Sequence, residues 1–287
     1  MTTTAAPAPP PVQEKLPSQR AARARHRATV WGLRLLLLVA VVGAWMYATG
    51  PGEVSFLILP PLGKVLEALV DFVGTEVFWT AAGVTVFEML AAFAVAAVLG
   101  VGVGFLLSRT RLRARASEPL LSWGYMFPVV LLYPLFLLWV GVGVGSKIAY
   151  AAVAAFFPIA YNTLRGLSSV DEKYLKVGTA FGASRWDMDR HIKAGAARPM
   201  ILSGLRIGVS VVMISVVLAE LLGSNAGLGY ELQRAASTLS LPREYAIALL
   251  LLVIAVTLQQ LLERLLRPRR SGPKGARATE SAAQLDE

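Results

Sequence analysis

A chain of 287 residues without cysteine can form no disulfide, no zinc–thiolate site and no thiol nucleophile. At 55% hydrophobic residues and a mean hydropathy of +0.58 it is more apolar than soluble domains, for which about 45–50% is typical. A net charge of +10 would raise nucleic acid as a partner of a soluble protein, but in so apolar a chain it bears first on topology.

Residues 1–28 are rich in Pro and Ala, then basic, with too few apolar side chains to pack, so a disordered tail is expected. A basic segment ahead of an apolar one also fits a cleaved leader. The length of the leading segment and the apolar runs that follow favour a retained first span. The region 29–267 then contains six apolar runs, at 30–49, 78–107, 120–140, 148–164, 200–222 and 245–262. A membrane span needs about 20 apolar residues, and in lipid every backbone polar group must be paired internally, so each run is expected to be helical. The second run, about 45 Å long as a helix, must tilt or project. Between the first two runs, apolar residues at 62, 65, 66, 69, 70 and 73 mark one helical face, with Glu67 and Asp71 opposite. That pattern fits a short helix on the outer membrane surface. Residues 268–287 form a second polar tail.

The basic residues alternate between the segments that join the runs. Lys15, Arg20, Arg23, Arg25 and Arg27 precede the first run, and Arg109, Arg111, Arg113 and Arg115 follow the second. Arg165, Lys173, Lys176, Arg185, Arg190, Lys193 and Arg198 follow the fourth, and Arg264, Arg267, Arg269, Arg270, Lys274 and Arg277 the sixth. The opposite segments hold only Lys64, Lys147, Arg234 and Arg243. The expected fold is therefore all-α and polytopic, with six transmembrane helices and both termini cytoplasmic. The charge is accounted for by topology, and no nucleic-acid partner is expected.

Within the runs, Pro128, Pro134 and Pro158 each remove a backbone donor and are expected to bend their helices. Gly100, Gly102 and Gly104 permit close helix approach, most simply as packing. Glu88 is a charge in a span and is expected to face the bundle interior or a water-filled path. Glu220 lies near an outer end, where water is expected to reach it. Tyr125, Tyr133, Asn162 and Met213 are weaker candidates for pathway lining, chosen as polar or pliable groups inside spans, and Arg206 can snorkel. No phosphate-binding GxxxxGK[ST] loop, HExxH or GxSxG occurs, and His26 and His191 have no paired ligand or nucleophile. A catalytic site and a metal site are not expected.

The segment KVGTAFGASRWDMDRHI, residues 176–192, is polar and helix-forming between two apolar runs. Val177, Ala180, Phe181 and Ser184 have helical spacing, and Gly178 and Gly182 are small enough for close contact. Spacing alone fits equally a helix that docks in another protein's groove and an ordinary loop helix on the membrane surface.

Five stretches carry a family resemblance. They are ILPPLGKVLEAL at 58–69, WVGVGVGSKI at 139–148, FFPIAYNTLRGLSSVDEKYL at 156–175, the loop through Gly208, and LAELLGSNAGLGY at 218–230. Across about 30–267 the chain resembles the permease subunits of bacterial ATP-binding-cassette importers, nearest the branch for aliphatic sulfonates, taurine and nitrate. That family carries a cytoplasmic signature of Glu-Ala-Ala, three residues, Gly, nine residues and Ile. Gly182 takes the signature glycine and Ile192 the apolar position, whereas Lys176, Val177 and Gly178 replace Glu-Ala-Ala and Gly195 stands where Pro is expected.

The resemblance implies type I importer architecture in a bacterial inner membrane, with 171–198 as a loop that couples to an ATPase. Lys176, Val177, Gly178, Ala180, Phe181, Gly182, Ala183, Ser184, Arg185 and Trp186 are the implied coupling residues. It also implies a second permease copy, identical or paralogous, two ATPase subunits, an extracytoplasmic binding protein and surrounding lipid. No cofactor is expected on this chain, since ATP and Mg belong to the ATPase. The implied cargo is a small solute, either sulfonate-, taurine- or nitrate-like or resembling a vitamin precursor. An ion-coupled secondary transporter without an ATPase is the alternative, but no inverted repeat is visible and Glu88 is its one coupling candidate. A membrane enzyme is a third reading, opposed by the missing catalytic constellation.

Overall fold

The computed structural model describes residues 17–266 apart from 53, 185 and 186, with the backbone alone for 17–28, 172 and 175. The described residues contain helices and no strand. They fall into two units, residues 1–64 and 65–287.

The first unit is built on α1 (Pro17–Thr49). Residues 17–28, expected in the disordered tail, are helical from Pro17 onwards. Alanine and arginine, which dominate the run AARARHRA, are among the best helix formers, so an apolar helix behind them extends back readily. After α1 the chain turns, and Trp45 Nε1 donates to Pro60 O at 3.0 Å. The remaining tail residues, 1–16, and the expected tail at 268–287 lie outside the described residues.

The short helix expected from apolar spacing forms as α2 (Leu62–Val73). The second unit continues with α3 (Glu76–Ser108), α4 (Arg111–Met126), a 3-10 turn at Val129–Leu132, α5 (Tyr133–Val140) and α6 (Val144–Ser168). Then come α7 (Glu172–Ala180), a π-helical turn at Met188–Lys193, α8 (Ala194–Gly223), α9 (Leu228–Ser237) and α10 (Leu241–Leu265). Among the described residues five segments are long and apolar enough to cross a membrane: Thr29–Thr49, α3, α6, Met188–Gly223 and α10.

A sixth crossing exists only if α4 and Val129–Val140, bent by 78°, count as one span. The run at 120–140 is thus broken at one of the two prolines expected to bend it. The break sits at Phe127, whose φ of −67° and ψ of 131° are extended. Pro128 causes this, because its ring disfavours the helical conformation of the preceding residue. Pro134, expected to bend its helix, lies instead in the first turn of α5, where a missing N–H costs nothing.

The core joins α3, α6 and α8 through small residues. Ala92, Ala96, Gly100 and Gly104 are buried on one face of α3. A Cβ at Gly100 would meet Ile159 Cγ2 at 2.7 Å, and one at Gly208 of α8 would meet Ile159 Cδ1 at 2.6 Å. Ile159, fully buried on α6, is therefore held between two glycines. Gly102 faces open space and takes no part. A second cluster joins Phe72 of α2, Phe78 and Ala81 of α3, Leu228 and Ala235 of α9, and Ile247 and Leu251 of α10.

Candidate docking loop and buried charge cluster

Residues 171–193 form a compact polar hairpin. Asp171 caps α7, its Oδ1 accepting from Lys173 N at 3.0 Å. The helix ends in a Schellman motif: Ala183 N donates to Gly178 O, and Gly182 N to Thr179 O, each at 3.0 Å. Gly182 occupies the left-handed position of that motif, with φ of +72°. An added Cβ there would meet nothing within 4 Å, so what the position demands is backbone freedom.

Ser184 then starts the returning helix. Its hydroxyl donates to Asp187 Oδ2 at 2.6 Å and accepts from Asp187 N at 3.2 Å. That hydroxyl holds the Asp187 carboxyl below its ordinary range. Arg185 and Trp186 lie outside the described residues.

Gly178 faces inward, where a Cβ would meet Ile192 Cδ1 at 2.5 Å and Met188 Cε at 2.7 Å. The close contact expected of this glycine is thus made with the loop's own returning turn. What α7 presents outward is Tyr174, Val177 and Phe181, spaced i, i+3 and i+7 and all exposed, Phe181 at 87%. Lys176 and Ala180 are exposed beside them, and Ala183 is half-buried.

The expected pathway residues do not share one surface. Tyr125 is exposed, Met213 is buried in the core, and Asn162 donates to Pro158 O at 2.8 Å on α6. Glu88, Glu220 and Tyr133 do converge, around a residue counted from sequence as an outer-loop cation. Lys147, in the first turn of α6, is fully buried. Its ammonium lies 2.5 Å from Glu88 Oε1 and donates to Ser224 Oγ and Ala226 O, both at 2.9 Å. These three partners match its three donors. Glu88, expected to face the bundle interior or a water-filled path, is enclosed in the interior at 0% exposure, beside Lys147.

Glu220, expected near water, is 1% exposed. Its Oε1 accepts from Thr85 Oγ1 and its Oε2 from Gly229 N, both at 2.7 Å. Thr85 also accepts from Leu228 N at 2.9 Å. The start of α9, whose cap Gly227 has no side chain to offer, is therefore capped by a carboxylate and a hydroxyl from α8 and α3. A Cβ on Gly227, at φ of +110°, would run into that carboxylate. Tyr133 closes the group by donating to Gly223 O at 2.8 Å.

The cluster joins the first half of α3, the start of α6 and the end of α8, so it ties these helices together towards one end of the bundle. Sequence reasoning missed Lys147, Thr85, Ser224 and Gly229. The one available signal was a lysine followed directly by an apolar helix, IAYAAVAAFF, with room to fold back along it. Every short polar contact in the cluster is internal. Among the described residues no group of three or more His, Asp or Glu is placed to hold a metal.

Comparison with known proteins fits this arrangement. Residues 96–272 match the family described as binding-protein-dependent transport system inner membrane component. The taurine transport permease protein of Escherichia coli K12 is 28% identical over 265 residues, 90% of this chain and 96% of that protein. The formylaminopyrimidine transport permease of Halalkalibacterium halodurans is 31% identical over 216 residues, 74% of this chain and 86% of that one. The putative aliphatic sulfonates permease of Bacillus subtilis is 28% identical over 200 residues, 70% and 72% of the two chains. The fold is also that of an inward-facing methionine ABC transporter chain, with a TM-score of 0.53 at 18% identity over 66% of this chain and 95% of that one. The chain therefore belongs to the binding-protein-dependent inner-membrane component family: it is a multi-pass inner-membrane permease of the ABC importer type, a transport subunit and not an enzyme.

Proposed function

We propose that this permease pairs with a second permease copy, receives a small solute from an extracytoplasmic binding protein, and is driven by an ATPase seated on the α7 hairpin. The carrying observation is the exposed stripe of Tyr174, Val177 and Phe181 on a helix whose opposite side is locked to its own returning turn. A rigid hairpin with an apolar outer face and a continuous link into α8 transmits force from a partner to a span. The basic residues at both tails, at 109–115 and at 165–198 support a cytoplasmic position for this hairpin. ATP and Mg would be held by the ATPase.

In this reading the Glu88–Lys147 pair, Tyr133 and Glu220 brace the outer end of the pathway, and Tyr125, Asn162 and Met213 are left as lining candidates. The relatives named for sulfonates, taurine and formylaminopyrimidine support a small polar cargo. Selection among such solutes would rest with the binding protein.

The test is co-purification with the cognate ATPase and stimulation of its activity in Phe181→Asp. Loss of either, with Gly275→Asp in the C-terminal tail unchanged, supports docking. Equal behaviour of the two variants rejects it. Mass spectrometry of ligand co-purifying with the cognate binding protein identifies the cargo.

A further inference from the structure

Glu88, Lys147 and Glu220 place three ionisable side chains in one enclosed cluster, none more than 1% exposed. With all three ionised, a single ammonium would face two carboxylates and the bundle would enclose one unmatched negative charge. Thr85, three residues before Glu88 on α3, donates to Glu220 Oε1 at 2.7 Å, and the Glu88 and Glu220 carboxyls stand within hydrogen-bonding reach of each other. Two carboxylates that close repel unless a proton lies between them.

One acceptor in the same cluster is unmet. Glu220 is served at both oxygens, by Thr85 and by Gly229 N, and the Lys147 ammonium stands beside Glu88 Oε1. Glu88 Oε2 is fully shielded, and among the described residues it accepts no hydrogen bond. The nearby hydroxyls are committed elsewhere. Tyr133 donates to Gly223 O at 2.8 Å and Ser224 to Ala226 O at 2.7 Å. A shielded acceptor without a donor destabilises the fold, so a donor is wanted at this point.

We propose that the Glu88–Glu220 pair binds one proton, shared between the two carboxyls beside Lys147. The proton supplies the missing donor, removes the repulsion and makes the cluster neutral, and it belongs to the pair instead of to either residue. The other titratable groups that face the pair are Tyr133, whose ring packs on that of Tyr150 at 5.1 Å, and Tyr150 itself, which is hydrogen-bonded to Ser215. On α9, Glu231 is drawn away to Arg234 and Arg243. Enclosing the pair between α3, α6 and α8 thus takes up a proton, and unpacking these helices in water releases it. The site rests on the packing of the bundle and does not depend on what docks on α7.

The experiment records infrared spectra of the full chain in an ester-free detergent at about pH 7, where exposed carboxyls are ionised. Wild type should show the carbonyl stretch of a protonated carboxyl. Glu88→Gln and Glu220→Gln should each abolish it, because either change leaves one carboxylate matched to Lys147. Unfolding in a denaturing detergent at the same pH should release about one proton more from wild type than from Glu88→Gln. A band that survives in one variant comes from a carboxyl protonated on its own, and one that survives in both comes from elsewhere; either overturns the sharing. An equal proton count also overturns it. Wild type without the band, as when a buried water meets Glu88 Oε2, overturns the site without requiring any variant to fold.

Discussion

The ammonium of Lys147, on α6, lies 2.5 Å from the carboxylate of Glu88, on α3, and both side chains are shut off from solvent. Removing one partner of such a pair leaves a buried charge unmatched, which costs about 3–5 kcal/mol. Lys147→Met is therefore expected to lower the thermal stability of the purified permease sharply. Lys147→Met/Glu88→Leu is expected to recover much of that loss. A double-mutant cycle in detergent measures the coupling, and additive losses would show that the pair is not linked.

Glu220 and Gly227 form the second test. Glu220→Gln offers an amide N–H₂ where Gly229 N or Thr85 Oγ1 donates, leaving a buried donor unsatisfied at a cost of about 1–3 kcal/mol. Gly227→Ala meets both a strained φ of +110° and the Glu220 carboxylate, so a loss of at least about 2 kcal/mol is expected. Protease protection of 224–240 tracks the detachment of α9. Unchanged protection in Gly227→Ala would mean that α9 does not depend on this contact.

Much of this architecture was legible from hydrophobic runs alone. Five of the expected runs coincide with membrane-length helices, and the periodic face at 62–73 became α2 with the same bounds. The bend at Phe127 was half read: Pro128 was expected to bend its helix and does, but Pro134 looks alike in sequence and begins a helix instead. The charge cluster was half read. Glu88 and Glu220 stand out in apolar surroundings, but Lys147 follows a glycine-rich turn and resembles a loop cation. Its burial depends on Ser224 and Ala226 arriving from 77 and 79 residues away. In the loop, Gly178 and Gly182 look equivalent, yet one is needed for space and the other for backbone shape.

That difference gives a third prediction. Gly178→Leu drives a side chain into Ile192 and Met188, which should pry α7 off the returning turn and lower ATPase stimulation. Gly182→Ala adds no clash and costs about 1 kcal/mol through its left-handed φ. Stimulation should therefore fall much further in Gly178→Leu than in Gly182→Ala. The reverse order would place the critical contact at Gly182.

The Ser184 hydroxyl sets a pH dependence. Because the folded Asp187 carboxyl titrates below its ordinary value of 3.8, its contribution to the turn is complete above that value. The contribution is lost as pH falls through the lower folded value. Ser184→Ala should move the Asp187 titration, followed by carboxyl NMR, back up towards 3.8. No movement would remove the hydroxyl as the cause.

The central claim, that the α7 hairpin seats an ATPase, is tested most directly by proximity. The chain has no cysteine, so Phe181→Cys provides a single attachment point for a photocrosslinker. In vesicles containing the assembled transporter, the account predicts an ATPase adduct from position 181, and none from a matched Leu239→Cys at the opposite end. An intact complex in which position 181 crosslinks only to lipid would contradict it.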